Sequence, residues 1–433
     1  MLILMLIEKK KILIKTIFSA VFLFLYNSIV FSNNILVPMD EKQTDHLKAY
    51  GAAYKSLAEK NSAGKIYWLL NYRDGSFLLP YSDEAVKNLK ISGVYYEIID
   101  DKQLNQIELT IQEENMDKIE LEKAPKIAVY APSTNNPWDD AVTLALTYAE
   151  VPYDKIWDDK ILKSGLSDYD WLHLHHEDFT GQYDKFYRSF QNSPWYMTRV
   201  AEYRKFAITQ GFNSVCEEKT SVSKAIKNYV SNGGFLFAMC SAPEALDIAL
   251  SLEGTDYIAQ EIDGTPFDPD YMKKIDYSKC LVFENFTVIS DPNFNPKSDI
   301  DYNWVNTPKR IEDQPFELFD FSAKFDQVPT MLTQNHNRIV KGFFGLTTAF
   351  REEKIKKECI IMGKTIGNKC VKYLHRKFGK GTITYLGGHD PEDYAHRVGA
   401  EHTNLSFHKN SQGYRLILNN ILFPAAKQKK LKT

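Results

Sequence analysis

Short apolar runs alternate along the chain with longer segments whose apolar residues recur at three and four positions, the pattern of strands followed by helices. Ile35-Leu36-Val37, closed by Pro38, reads as a buried strand. Asp40 stands where it can cap a helix carrying Leu47, Tyr50, Ala53, Tyr54 and Leu57. Ile66 to Leu70, Phe77 to Leu79 and Val94 to Ile99 read as further strands, and a weakly patterned helix is expected between Leu104 and Ile119. Such alternation favours a layered sheet over a helical bundle, so residues 33–124 form an N-terminal α/β unit.

Pro125 marks the next boundary. Ile127 to Ala131 reads as a strand, followed by a polar loop from Ser133 to Pro137 and a helix from Trp138 to Ala149. Further strands are expected at Trp171 to His175, Phe235 to Met239 and Thr382 to Leu386, with helices at Ser221 to Ser231, Pro243 to Leu250 and Tyr414 to Leu422. Strands this uniformly apolar are buried on both faces, which predicts an α/β fold with a mainly parallel sheet and helices on both sides. Residues 125–425 form this second unit, with an elaboration around 251–350 rich in turn sequences such as Asp263-Gly264-Thr265-Pro266. Residues 426–433 read as a basic tail.

The first residues follow a different pattern. Lys9, Lys10, Lys11 and Lys15 precede an apolar run from Ile17 to Phe31, and Val30-Phe31-Ser32 resembles a cleavage site. This predicts a signal peptide over residues 1–32 and an exported protein, periplasmic or extracellular. No other run approaches the ~20 apolar residues of a membrane span, so no transmembrane segment is expected after cleavage. A net charge of -3, from 53 basic and 56 acidic side chains, excludes a global field that would draw in nucleic acid. The five cysteines lack metal-knuckle spacing; Cys359 and Cys370 are the disulfide candidates, with buried thiols the equal alternative.

The chemistry centres on Gly233-Gly234-Phe235-Leu236-Phe237-Ala238-Met239-Cys240-Ser241-Ala242-Pro243-Glu244. A strand turning sharply into a helix would present Cys240 at the carboxyl edge of the sheet, with Ala238 and Ala242 small enough to allow the turn. Helix-start N–H groups there stabilise a thiolate or an oxyanion, and Ser241 with Glu244 fits a capping box. Cysteine is also a common small core residue, so partners decide. His389, after the last core strand, is placed to take the thiol proton, with Glu392 or Asp390 orienting it. His176, Glu177 and Asp178 are candidates for substrate binding or for shaping the oxyanion region, and Asn335 and His336 for substrate hydrogen bonds. A metal site from His175, His176, His389 and Asp178 is a lesser option. Asp263, Asp268 and Asp270 lack the order of a calcium loop.

From about residue 125 to 425 the chain resembles the class I glutamine amidotransferase-like superfamily, on Gly233-Gly234, Cys240 and His389. The resemblance implies a flavodoxin-like parallel sheet, a cysteine that attacks an amide carbonyl, a histidine base and an orienting acid. The family's His-x-Glu is departed from here, since Glu392 lies three residues after His389. The whole mature chain is also similar to a group of exported bacterial proteins labelled asparagine synthetase B, over Tyr67 to Leu79, Trp171 to Gly181, Met331 to Phe350 and Leu386 to Tyr394. That synthetase needs an N-terminal cysteine and a Ser-Gly-Gly ATP loop; the expected mature terminus here is Asn33 and no such loop is present, so synthetase activity is not implied.

The leading expectation is therefore a cysteine-dependent amide hydrolase or acyl-transfer enzyme using Cys240, His389 and Glu392, with oxyanion support near Ser241 and no cofactor. The alternatives are a non-catalytic envelope protein binding a carbohydrate or peptide, and a metal-dependent hydrolase. The expected partner is a small-molecule, peptide or carbohydrate ligand.

Overall fold

Two β-sheets organise the chain into a mixed α/β fold. The computed structural model describes residues 34–59, 64–132, 140–163, 165–175, 184–293, 297–301, 315–343, 347, 349–367, 370–393 and 401–427. The expected signal segment lies outside the described residues.

The first sheet is antiparallel throughout. Its strands are β1 (Asn34–Val37), β2 (Ile66–Leu70), β3 (Ser76–Pro80), β4 (Glu97–Ile99) and β5 (Asp117–Leu121), in the order β4-β1-β3-β2-β5. Helices α1 (His46–Ala58), α2 (Asp83–Ser92) and α3 (Asp101–Glu113) connect them, each with a side-chain cap on its first turn. Two expectations change. Asp45, not Asp40, caps α1, because the Asp40 carboxylate is taken by the Arg73 guanidinium at 2.6 Å. The helix expected to reach Ile119 ends at Glu113; beyond it Ile119 and Leu121 alternate with half-buried neighbours, a period-two pattern that pairs as β5 beside β2.

Among the described residues the second sheet has nine strands: β6 (Ile127–Tyr130), β7 (Asp154–Ile156), β8 (Trp171–Leu174), β9 (Phe235–Met239), β10 (Phe316–Leu318), β11 (Ile339–Val340), β12 (Ile360–Thr365), β13 (Val371–Phe378) and β14 (Gly381–Leu386). Their order is β11-β10-β12-β13-β14-β9-β8-β6-β7. The run β14-β9-β8-β6-β7 is parallel, whereas β10 to β14 pair antiparallel, so the expected parallel character holds for five strands. Both faces are covered. Ile127, Val129, Trp171, Phe237 and Met239 pack with α4 (Ala141–Tyr148) and with the C-terminal helix Gln412–Leu422. Ala128, Leu172, Leu174, Leu236 and Ala238 pack with α5 (Val215–Ser231) and α6 (Ala242–Ser251).

Polar pins hold the elaboration and the joint between the two sheets. The Asp247 carboxylate on α6 accepts the backbone N–H groups of Leu281, Val282 and Phe283 at 2.6, 2.8 and 2.8 Å. That stretch makes only isolated bridges among the described residues. The C-terminal helix, α7 (Gln412–Leu422), sends Arg415 into the joint, where it donates to Met39 O at 3.0 Å and Tyr50 Oη at 3.2 Å and meets His336 Nδ1 at 3.3 Å. Gly51 lets α1 close on α4, since a Cβ there would sit 1.9 Å from Ala149 O. All five cysteines are free thiols, so the Cys359–Cys370 disulfide is not formed.

His46 and His336 stack at the joint, ring centroids 4.2 Å apart. Burial and then the Arg415 charge press their pKa values down, to about 4 for His46 and about 3 for His336. The folded joint therefore stays neutral while the unfolded chain takes up protons below the usual histidine value. Their contribution to stability is complete above pH ~6.5 and falls toward pH ~4, by up to about 1.4 kcal/mol per pH unit per ring. Urea unfolding between pH 7 and 4 should show a shallower loss of stability for His336→Asn than for the native chain; parallel curves would refute this account.

Candidate functional site

The elbow is built as its sequence predicts. β9 ends at Met239, α6 begins at Ala242, and Cys240 between them takes φ +56°. A left-handed backbone is costly for a residue with a Cβ and persists only where its surroundings enforce it. Here the Cys240 N–H is shared between the carbonyls of Leu386 at 3.3 Å and Gly388 at 3.2 Å, which ties the elbow to the end of β14. Cys240 is buried. The expected capping box is absent: Ser241 has helical dihedrals and makes no side-chain cap, and Glu244 reaches away to Ser298 and Thr347.

A second cluster lies where strand order reverses. From β6 the chain passes to β7 on one side and returns to β8 on the other, so the crevice at the carboxyl ends of β6 and β8 is a topological switch point. His173 stands on β8 and His175 follows two residues later, on the same face, with ring centroids 6.0 Å apart. Asp140, the N-cap of α4, faces them. His173 Nε2 lies 3.1 Å from Asp140 Oδ1, and His175 Nδ1 lies 3.7 Å from the same oxygen. One ligand atom from each residue falls within 4.8 Å of the others, and all three side chains are buried.

The surroundings divide the work of these atoms. His173 Nδ1 meets the Phe237 carbonyl at 3.2 Å, which orients the ring and turns Nε2 toward the cluster. Asp140 Oδ1 accepts the Val142 N–H at 2.8 Å, as an N-cap does. Asp140 Oδ2 is buried with no hydrogen-bond partner among the described residues. The His389 ring lies 4.9 Å from that of His175, bringing the end of β14 to the same edge.

The residues singled out from sequence are thus dispersed. Cys240, Ser241 and His389 lie at the carboxyl edge of the sheet. His176, Glu177 and Asp178 lie outside the described residues, so the expected oxyanion loop and the expected metal set containing them do too. Glu392 Oε2 is engaged by Lys341 at 3.2 Å and His408 at 3.3 Å. Asp390 is buried, its carboxyl pushed up by desolvation, and accepts from Thr403 and from the N–H groups of Glu392 and Asp393. Asn335 and His336 are braces of the joint: Asn335 donates to Gln412 O at 2.9 Å, and His336 stacks on His46. Asp268 and Asp270 are paired with Lys274 and Lys273. Sequence reasoning passed over Asp140 and His173, although His-x-His on a strand and an acid before an apolar helix were both visible.

No family model matches the chain, and no curated protein matches it. Among solved structures it is similar to the cytoplasmic protein STM3548 from Salmonella typhimurium, at 10% identity and a TM-score of 0.35, over 70% of this chain and 100% of that one. Cytoplasmic protein STM1381 from Salmonella typhimurium LT2 aligns at 10% identity and 0.34 with the same coverage. Gan42B, a GH42 beta-galactosidase, aligns at 12% and 0.26, over 61% of this chain and 27% of that one. Both Salmonella proteins are described as cytoplasmic, whereas residues 1–32 lead to the expectation of an exported location, which is not carried further. Among the described residues no helix is long and apolar enough to cross a membrane.

If Asp140 serves α4 through Oδ1, asparagine should replace it as a cap and alanine should not. Asp140→Ala is expected to lose about 1 kcal/mol more stability than Asp140→Asn in urea unfolding. Equal losses would remove the capping role.

Proposed function

We propose that the protein is a metal-dependent hydrolase whose divalent ion is held by Asp140, His173 and His175. The observation that carries this reading is the convergence of three buried ligand atoms within 4.8 Å at the switch-point crevice, with Asp140 Oδ2 left without a partner among the described residues. Two imidazoles and one carboxylate suit zinc or a neighbouring transition ion better than calcium or magnesium. Three protein ligands leave a position for water or substrate, and the ion supplies Lewis acidity and a water acidic enough to attack near neutral pH. The Phe237 carbonyl keeps His173 in the ligating orientation, Val142 N–H holds Asp140, and His389 is the adjacent group able to take or return a proton.

Purified protein dialysed against zinc should retain about one equivalent by elemental analysis, and His173→Ala and His175→Ala should each weaken binding by at least about tenfold. Absence of stoichiometric binding for zinc, cobalt, manganese and iron alike would sink the proposal.

A second reading, cysteine-dependent amide hydrolysis or acyl transfer, is supported by the left-handed dihedral of Cys240 at the elbow. The order β7-β6-β8-β9-β14 also agrees with a flavodoxin-like, glutamine amidotransferase-like sheet. The two readings separate in a screen of p-nitrophenyl esters, phosphates and anilides. On the metal reading, activity found in the native protein is abolished by chelation and survives in Cys240→Ala; the reverse pattern assigns the chemistry to the thiol.

A further inference from the structure

We infer that Glu244 is a positioning residue, holding the turn that carries His389 against the cysteine elbow; its consequence for catalysis rests on the role of His389 proposed above. Glu244 lies in the first turn of α6 and is buried. Its Oε1 accepts the Ser298 hydroxyl at 2.6 Å and its Oε2 the Thr347 hydroxyl at 3.0 Å. The Thr347 carbonyl in turn accepts the Gly388 N–H at 2.8 Å, and the Gly388 carbonyl accepts the Cys240 N–H at 3.2 Å. The contacts close a circuit from the elbow through Glu244, Thr347 and Gly388 back to the elbow. Gly388 has φ +78°, a left-handed conformation that glycine adopts without strain, in the bend immediately before His389.

The chemistry of the group explains why a carboxylate stands in this position. An ionised acid accepts a hydroxyl on each oxygen; glutamine offers one acceptor and forces one hydroxyl to turn round. An acid in the first helical turn is also favoured by the helix dipole. A buried carboxylate is nevertheless costly, and an apolar side chain would fill the space with less desolvation. What the acid adds is a fixed distance between α6, the elaborated region and the His389 turn. Ser298 and Thr347 both come from that elaboration, which thereby gains a structural reason to contact the core edge.

The test uses the full chain labelled with [13Cε1]histidine, with the His389 resonance assigned by its loss in His389→Gln. Glu244→Gln and Thr347→Val should each displace that resonance, while Thr347→Ser, which restores the hydroxyl, should leave it in the native position. Zinc affinity should stay within about tenfold of native, the lower edge of what disturbing a ligand's own support costs. An unmoved resonance in both Glu244→Gln and Thr347→Val, or an equal displacement in Thr347→Ser, overturns the inference. If Glu244→Gln fails to fold, the Thr347 pair decides alone. Failure of zinc to bind the native chain would defeat the proposed function yet leave the His389 displacement readable, so the two claims fail separately.

Discussion

The reversal of strand order at β6 is the constraint on which the candidate site depends. β6 pairs with β7 on one edge and β8 on the other, both parallel to it. Parallel neighbours require crossover connections, and connections that leave in opposite directions cannot cover the gap between them. At that gap β8 extends His173 and His175 on one face, and α4 begins with Asp140 pointing back at them. The helix needs an acceptor at its N-cap whether or not a ligand is present, so one carboxylate oxygen is committed to architecture and the other stays without a hydrogen-bond partner among the described residues.

Much of the fold was legible because its strands are uniformly apolar and its helices capped. β6, β8, β9 and β14 follow directly from Ile127-Ala128-Val129-Tyr130, Trp171-Leu172-His173-Leu174, Phe235 to Met239 and Thr382 to Leu386. What escaped was set by partners distant in sequence. β12 gains its place through pairing with β10 and β13, which no local pattern announces. Asp40 is a plausible cap until Arg73 arrives from the next strand connection, and Asn335 and His336 look like substrate residues until α1 and α7 close around them.

The site shows the same division. The elbow was readable because a strained turn requires small neighbours in fixed positions. The histidine cluster was overlooked because adjacency drew notice to His175-His176, whereas a strand places every second side chain on one face. Asp140 offered only a capping signal, and nothing local indicates that its second oxygen remains without a hydrogen-bond partner among the described residues. A residue satisfying a structural rule at one atom can therefore hide an unsatisfied atom beside it.

The buried polar groups of this protein do two kinds of work, and the difference lies in what satisfies them. Asp247 is closed by three backbone N–H groups, and Lys219 is paired with Asp158 and lies 4.2 Å from the Trp157 ring. Such groups fix one arrangement of the chain and have no capacity left for a ligand. Asp140 keeps Oδ2 buried without a hydrogen-bond partner among the described residues, while its Oδ1 faces two imidazoles. Desolvating that oxygen is unfavourable, and a positive ion is the ligand that best offsets the cost. The strained Cys240 adds a second such tension at the same sheet edge. Both features stand at the carboxyl edge of the same sheet, one at the N-cap of α4 and the other at the end of β9.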